Sequence, residues 1–406
     1  MPVHLPTEIW RIIFRQATYH PGLETEWDDD AEARKWSGRD FEAASVDLES
    51  QRTKRAIVHV CSIWREIGLE FLWESIHIPS AVDYTQIRNL IEVFMASASY
   101  YPQVRDGPSH GHGGWVRRIS SSCDFLSSVD VHHLFNLLDH CRNLRAFIAR
   151  SQDGDASAPV PVQRRLSQVL ESRFQCSLRR LELYINLTTL DEAPIISAES
   201  MIPHLEGLTS LGITMRNDIP DFAQNRSFNC VTSLTLHLPS LLSIPLPWSF
   251  PRLQNLVLNN IFDGDVQHLA SFLIRHQDAL LYLRVSSPVD EDNAVPALLP
   301  YTPSLKRLTV DYLDLNDVYQ WCQPNTILPH LTILAGVERV RATNAGLQEA
   351  LAGPFPNLKV VRAMHKLGPV SLRDSSIEWI DTTNALREND VRLEDREGKI
   401  LGYVRS

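Results

Sequence analysis

Cysteine is scarce in this chain, with six residues in 406 and none in a C-x-x-C pair. That scarcity excludes a disulfide-stapled secreted scaffold and implies reduced thiols in the cytoplasm or the nucleus. No apolar run approaches the roughly 18 uninterrupted residues of a membrane span, and the N-terminus has no basic stretch leading into an apolar one, so neither a membrane segment nor a secretory signal is expected. Positive charge is short as well. Thirty-nine Lys and Arg stand against 49 Asp and Glu, a net charge of -10. The basic pairs Arg117-Arg118, Arg164-Arg165 and Arg179-Arg180 are scattered rather than striped, which argues against a nucleic-acid partner.

Catalytic and metal-binding patterns are missing too. There is no G-x-S-x-G, H-E-x-x-H or P-loop sequence. His110 and His112 lie in a glycine-rich loop, and His132, His133, His140 and Cys141 lie near a helix, but neither group completes a tetrahedral set. Asp28-Asp29-Asp30 lacks the alternation, glycine and distal glutamate of a calcium loop. No cofactor and no metal is therefore expected.

What the chain does contain is ordinary folding material, 44% hydrophobic and 22% charged. Its length exceeds one compact core and suits two domains or one elongated array. From Glu8 to Thr18 the apolar residues Ile9, Trp10, Ile12, Ile13, Phe14 and Ala17 cover an arc of roughly 200° on a helix, twice the roughly 100° stripe that one core contact needs. Pro6 fits the first turn, where its missing N–H would be unpaired anyway. Residues of about 19–50 are acidic and poor in aliphatics, and read as a solvated insertion. Helical spacing returns with Ala56, Ile57, Val60 and Cys61, then Ile63, Trp64, Ile67, Phe71 and Leu72, as two short helices divided near Cys61-Ser62. Ile57, Ile63, Ile67 and Phe71 are expected in the core. Ile76-His77-Ile78 alternates as a strand would.

Leu5-Pro6-x-Glu8-Ile9-x-x-x-Ile13-Phe14, an insertion, Val60-Cys61-x-x-Trp64 and Leu72-Trp73-Glu74-x-Ile76 resemble an F-box, of the form with an acidic first loop seen in mushroom-type fungal proteins. The resemblance covers about a fifth of the chain and rests on order and spacing rather than on single residues. It implies a three-helix module that docks onto the Skp-type linker subunit of a cullin–RING ubiquitin ligase. Matched position by position, it assigns the contact to Leu5, Pro6, Ile9, Ile13, Val60, Trp64 and Leu72. The long insertion departs from the shortest form of the motif.

A strand pattern L-x-x-L-x-L recurs through the remaining three hundred residues. It is clearest at Leu178-Leu181-Leu183, Leu208-Leu211-Ile213, Val231-Leu234-Leu236 and Leu253-Leu256-Leu258, and continues from Leu280, Leu305, Leu331 and Leu358. Degenerate copies begin at Val116, Leu144 and Ile377. Starts from 178 onward are 22 to 30 residues apart, close to the leucine-rich-repeat period of roughly 20–29. Helical stripes lie between, as at Val266-Leu269-Phe272-Leu273 and Leu315-Val318-Tyr319-Cys322, and before the array at Ile87-Leu90-Ile91-Phe94-Met95. Such units stack because none can bury its apolar face alone.

The expected fold is therefore α/β: an F-box-like three-helix module over 1–80, a linking helix and flexible loop over 81–114, a leucine-rich-repeat-like solenoid with a curved parallel sheet over 115–385, and a terminal cap or tail over 386–406. Asp106–Gly114 and Ser151–Pro161 are expected to be flexible surface loops. Strand alternation puts Arg180, Glu182, Tyr184, Thr214, His237, Asn259, Tyr282, Arg284, Arg307, Asp311, Arg362, Met364 and Trp379 on the concave face. Of these, Tyr282, Arg284, Arg307 and Trp379 are the residue types that dominate protein-binding hot spots and mark a candidate substrate surface.

Three functions follow, in order. The first is a substrate-recognition adaptor of an SCF-type ligase, joining the linker subunit to an unknown protein substrate and doing no bond-making itself. The second is a leucine-rich-repeat scaffold with no ligase role, whose N-terminal helices merely cap the array. The third, an enzyme with an unrecognised site, has no motif behind it. A cap should carry a polar outer face, so the apolar surplus on the first helix separates the first two.

Overall fold

The structure is a computed structural model. It describes residues 5–18, 40–78, 84–100, 111–122, 131–150, 169–184 apart from 171 and 175, 206–214, 227–237, 248–261 apart from 260, 266–286, 295–310, 313–314, 332–335, 340–363 apart from 354, 377–394 and 400. They fall into two compact units divided after Thr214.

The first unit opens with three helices, α1 (Thr7–Ala17), α2 (Asp40–Val60) and α3 (Ser62–Trp73). The boundary at Cys61 lies where the sequence spacing put it. Residues 40–50, however, belong to α2 and not to a solvated insertion; residues 19–39 lie outside the described ones. Cys61 caps α3, its Sγ accepting the Trp64 N–H at 3.5 Å. The chain leaves α3 into β1 (Ser75–Ile78), the strand that Ile76-His77-Ile78 announced.

Next come α4 (Tyr84–Tyr100), a 3-10 turn (Gly111–Trp115), β2 (Arg118–Ser122), α5 (Val131–His140), β3 (Ala146–Arg150), β4 (Arg180–Tyr184) and β5 (Ser210–Thr214). The strands β1 to β5 lie side by side in chain order, all parallel. Ile76, Ile119, Phe147, Leu181 and Leu211 share one register line across them. All five are buried, each contributing on the order of 1.5–3 kcal/mol. The turn over Gly111–Trp115 corrects the expectation of a flexible loop there, while 106–110 and 151–161 lie outside the described residues. Gly111 holds φ +65°, and a Cβ on it would stand 2.4 Å from the Ala98 nitrogen. Only glycine fits that turn against α4.

The second unit contains β6 (Ser233–His237), β7 (Asn255–Asn259), α6 (Val266–His276), β8 (Tyr282–Ser286), α7 (Val295–Leu298), β9 (Arg307–Val310), β10 (Leu313–Asp314), β11 (Thr332–Ala335), β12 (Val340–Arg341), α8 (Asn344–Ala352), β13 (Val360–Ala363), α9 (Ile377–Glu388) and β14 (Arg392–Glu394). Its main sheet is parallel, in the order β6-β7-β8-β9-β11-β13-β14, with β10 and β12 paired separately. Here the leucine register runs Leu234, Leu256, Leu283, Leu308, again all buried. Both units are thus α/β, with one strand and its connecting segment per repeat, as a solenoid of small units requires.

Two readings change in this unit. Ile377 begins α9 and not a repeat strand; the strand in that region is β14, which carries Leu393 inward. The Leu315–Cys322 stripe lies outside the described residues. No helix among the described residues is long and apolar enough to cross a membrane.

Candidate functional site

Pro6 stands at the N-cap of α1, one residue earlier than a first-turn position, and its carbonyl accepts from the N–H groups of Ile9 and Trp10. One side of α1 faces α3. Phe14 joins Ile57, Ile67 and Phe71 in a small buried core, with Trp10 and Trp64 half-buried against it. The Trp10 and Trp64 rings are 4.7 Å apart, and Phe14 meets Trp64 at 5.0 Å and Phe71 at 6.3 Å, both edge-on. Arg11 pairs with Glu70 at 3.5 Å, while Arg15 reaches Glu74 at 4.0 Å and lies over the Phe71 ring at 5.7 Å.

With that side committed, the rest of α1 faces outward. Ile9, Ile12 and Ile13 are exposed, Ile12 to 58%, and Leu5 is exposed just before the helix. Val60 and Ile63 flank the turn between α2 and α3 and are 59% and 52% exposed. Ile63 was expected in the core; it lies in the first turn of α3, before the core contacts begin at Trp64 and Ile67. Of the seven residues assigned to linker docking, Leu5, Pro6, Ile9, Ile13 and Val60 are exposed. Trp64 and Leu72 are half-buried, and Trp64 packs within the module itself. Ile12 and Ile63 join the exposed apolar set. Ile12 was visible as part of the apolar surplus, whereas nothing in the spacing distinguished Ile63 from Ile67.

The helices are fastened to the sheet at the end of α3. The buried Glu74 has its carboxylate 3.3 Å from Arg117, and its carbonyl accepts from the N–H groups of Arg117 and Arg118. Gln51 of α2 donates to the Ser75 carbonyl at 3.3 Å. Nearby, His112 is stacked between Trp73 and Trp115, with ring centroids 5.4 and 5.2 Å away. Its backbone N–H donates to Ser97 Oγ at 2.8 Å. Burial holds this imidazole neutral, lowering its pKa to about 4.

Three of the four candidate substrate residues are neighbours, Tyr282 and Arg284 of β8 beside Arg307 of β9 on one sheet face. Tyr282 and Arg284 project from the sheet face opposite the leucines, yet they are only 2% and 3% exposed. Tyr282 Oη lies 2.9 Å from Thr309 Oγ1, a buried hydroxyl contact. Trp379 is on α9 and not on a strand. Arg307 alone of the four is exposed on the sheet. Polar residues of the same face in both units are likewise buried: Glu182, ion-paired with Arg180, then Asn259, and Glu394, which takes Arg362 at 3.0 Å. Alternation assigned these residues to the right face; that the face is covered carries no signature in the spacing. Among the described residues no group of three or more His, Cys, Asp or Glu is placed to hold a metal.

Among the described residues, six of the exposed large hydrophobic side chains belong to the N-terminal helices and their approach, while Val93 and Met95 of α4, Ile274 of α6 and Ile400 are exposed elsewhere. No family model matches the chain, and no curated protein does.

Proposed function

We propose that the chain is a non-catalytic adaptor of a cullin–RING ubiquitin ligase, docking through an F-box-like module onto a Skp-type linker and holding a protein target with its repeat portion. The observation that carries this reading is the outward row of Leu5, Ile9, Ile12 and Ile13 with Val60 and Ile63. A helical cap would keep that face polar; a docking helix needs it apolar. The order of Leu5-Pro6, Val60-Cys61-x-x-Trp64 and Leu72-Trp73 along the three helices favours the ligase linker over other partners. In this role the adaptor supplies proximity between target and ligase, in the cytoplasm or the nucleus, and makes no bond itself.

Burial decides how much the patch contributes. A half-exposed isoleucine gains roughly 1 kcal/mol when covered, so six such side chains supply roughly 6 kcal/mol. Association alone costs about 4–15 kcal/mol, so the apolar row anchors a complex without accounting for all of its affinity.

The test is reconstitution. The full chain is mixed with purified linker, cullin and RING subunits and followed by size-exclusion chromatography. Co-elution of wild type, lost in a folded Pro6→Ala, Ile9→Asp variant, is the expected result. Separate elution of folded wild type removes the ligase role and leaves a repeat scaffold.

A further inference from the structure

On the α2–α3 side of the apolar row the charge is reversed relative to the chain as a whole, while α1 itself carries the exposed Glu8 beside Ile9 and Ile12. The protein carries a net charge of -10, yet the exposed stripe on the second half of α2 is Arg52, Arg55 and His59, spaced i, i+3, i+7 on one helix face. Arg65 extends it across the turn, exposed and donating through Nε to the Val58 carbonyl at 3.3 Å. Val60 and Ile63 sit at this same turn. The only exposed carboxylate in this stretch, from Arg52 to Arg65 and its neighbour, is Glu66. Attraction to the helix dipole accounts for cations in the last turn of α2 and fades beyond it. Arg52 and Arg55 lie farther back, outside that last turn.

Resting on the adaptor reading above, we infer that this cationic collar selects a linker whose apolar groove has an acidic rim. The contact then divides into two parts. The isoleucine row anchors the complex, and Arg52, Arg55 and Arg65 steer the encounter and add the polar complementarity that the apolar area alone does not supply. A neutral or basic groove of the same shape is rejected, because each arginine would lose water without gaining a counter-charge.

The experiment measures association and dissociation rates of the full chain with a purified Skp-type linker at 50 and 500 mM salt. Wild type is compared with an Arg52→Glu, Arg55→Glu variant whose fold is checked by circular dichroism. Expected for wild type is an association rate that falls at least tenfold over this salt range. The variant should associate at least tenfold more slowly at 50 mM and lose most of its salt dependence. Wild-type binding that ignores salt and charge reversal overturns the collar while leaving the docking face standing. If the folded wild type does not bind the linker under either condition, the collar and the adaptor reading fall together. Should the variant misfold, the wild-type salt series decides alone, since a flat rate contradicts steering.

Discussion

The indole rings of Trp10 and Trp64 lie 4.7 Å apart, inclined at 57°. This contact commits one side of α1 to α3, and it is the reason Ile9, Ile12 and Ile13 have nowhere to go but outward. Trp64 therefore belongs first to the module's own packing, although its sequence position resembles a partner-contacting one. Replacing Trp64 by Ala should destabilise the N-terminal unit by about 3–4 kcal/mol. Ile12→Asp, on the exposed arc, should change stability by less than about 1 kcal/mol. Urea unfolding of both variants checks the division: a mild Trp64 effect or a severe Ile12 effect contradicts it.

Glu74 joins the helices to the strands through its carboxylate and its carbonyl alike. Glu74→Gln keeps the backbone bonds and removes the charge facing Arg117 and Arg15. A loss of about 1–3 kcal/mol is expected, with faster amide exchange in β1 and β2. Unchanged exchange there would mean the carboxylate contributes nothing to the joint.

Gly111 holds φ +65° with the Ala98 backbone in the space a Cβ would take. Gly111→Ala should cost more than about 2 kcal/mol and loosen the stacking of His112 on Trp73 and Trp115. Tryptophan fluorescence with thermal unfolding reads both. A variant as stable as wild type would contradict the tight turn.

Two histidines set an acid limit. His276 is buried; its Nε2 accepts the Phe250 N–H at 3.0 Å, and its Nδ1 lies 2.8 Å from the Phe272 carbonyl. Desolvation lowers its pKa, as it lowers that of His112 to about 4 from 6.5. A folded pKa below the unfolded one means the unfolded chain takes up the proton first. Stability from both groups is therefore complete above about pH 6.5 and declines as the pH falls below it, for His112 until about pH 4. The His112 share between pH 7 and pH 5, reduced by solvent screening of this half-buried ring, is on the order of 1 kcal/mol. Denaturant midpoints measured from pH 7.5 to 4.5 test the sign, and a midpoint that rises on acidification would contradict it.

Much of this architecture was legible because each repeat strand carries its own L-x-x-L-x-L. Leu181, Leu211, Leu234, Leu256, Leu283 and Leu308 all face the core as that spacing requires. The failures have equally specific causes. Ile377 and Ile380 share the i, i+3 spacing that opens a repeat strand, but the same spacing lies on one face of a helix, and a helix forms. Phe41, Ala44 and Leu48 do keep i, i+3, i+7 spacing, but Asp40, Glu42, Asp47 and Glu49 among them made the segment read as a solvated insertion rather than as the start of a helix. The exposed apolar side of α1 was legible because six apolar residues on an eleven-residue helix exceed what one core contact absorbs. The burial of Tyr282 and Arg284 was not: alternation says which way they point, never whether something already covers them.

On the proposed adaptor role, the outward isoleucines bind a ligase linker rather than stabilise the fold. Titration calorimetry of the full chain with a purified Skp-type linker, wild type against Ile9→Asp and Val60→Asp, tests it most directly. The account predicts saturable binding by wild type, weakened at least a hundredfold in each variant while their unfolding midpoints stay close to wild type. Wild-type binding that both folded variants retain in full would contradict it.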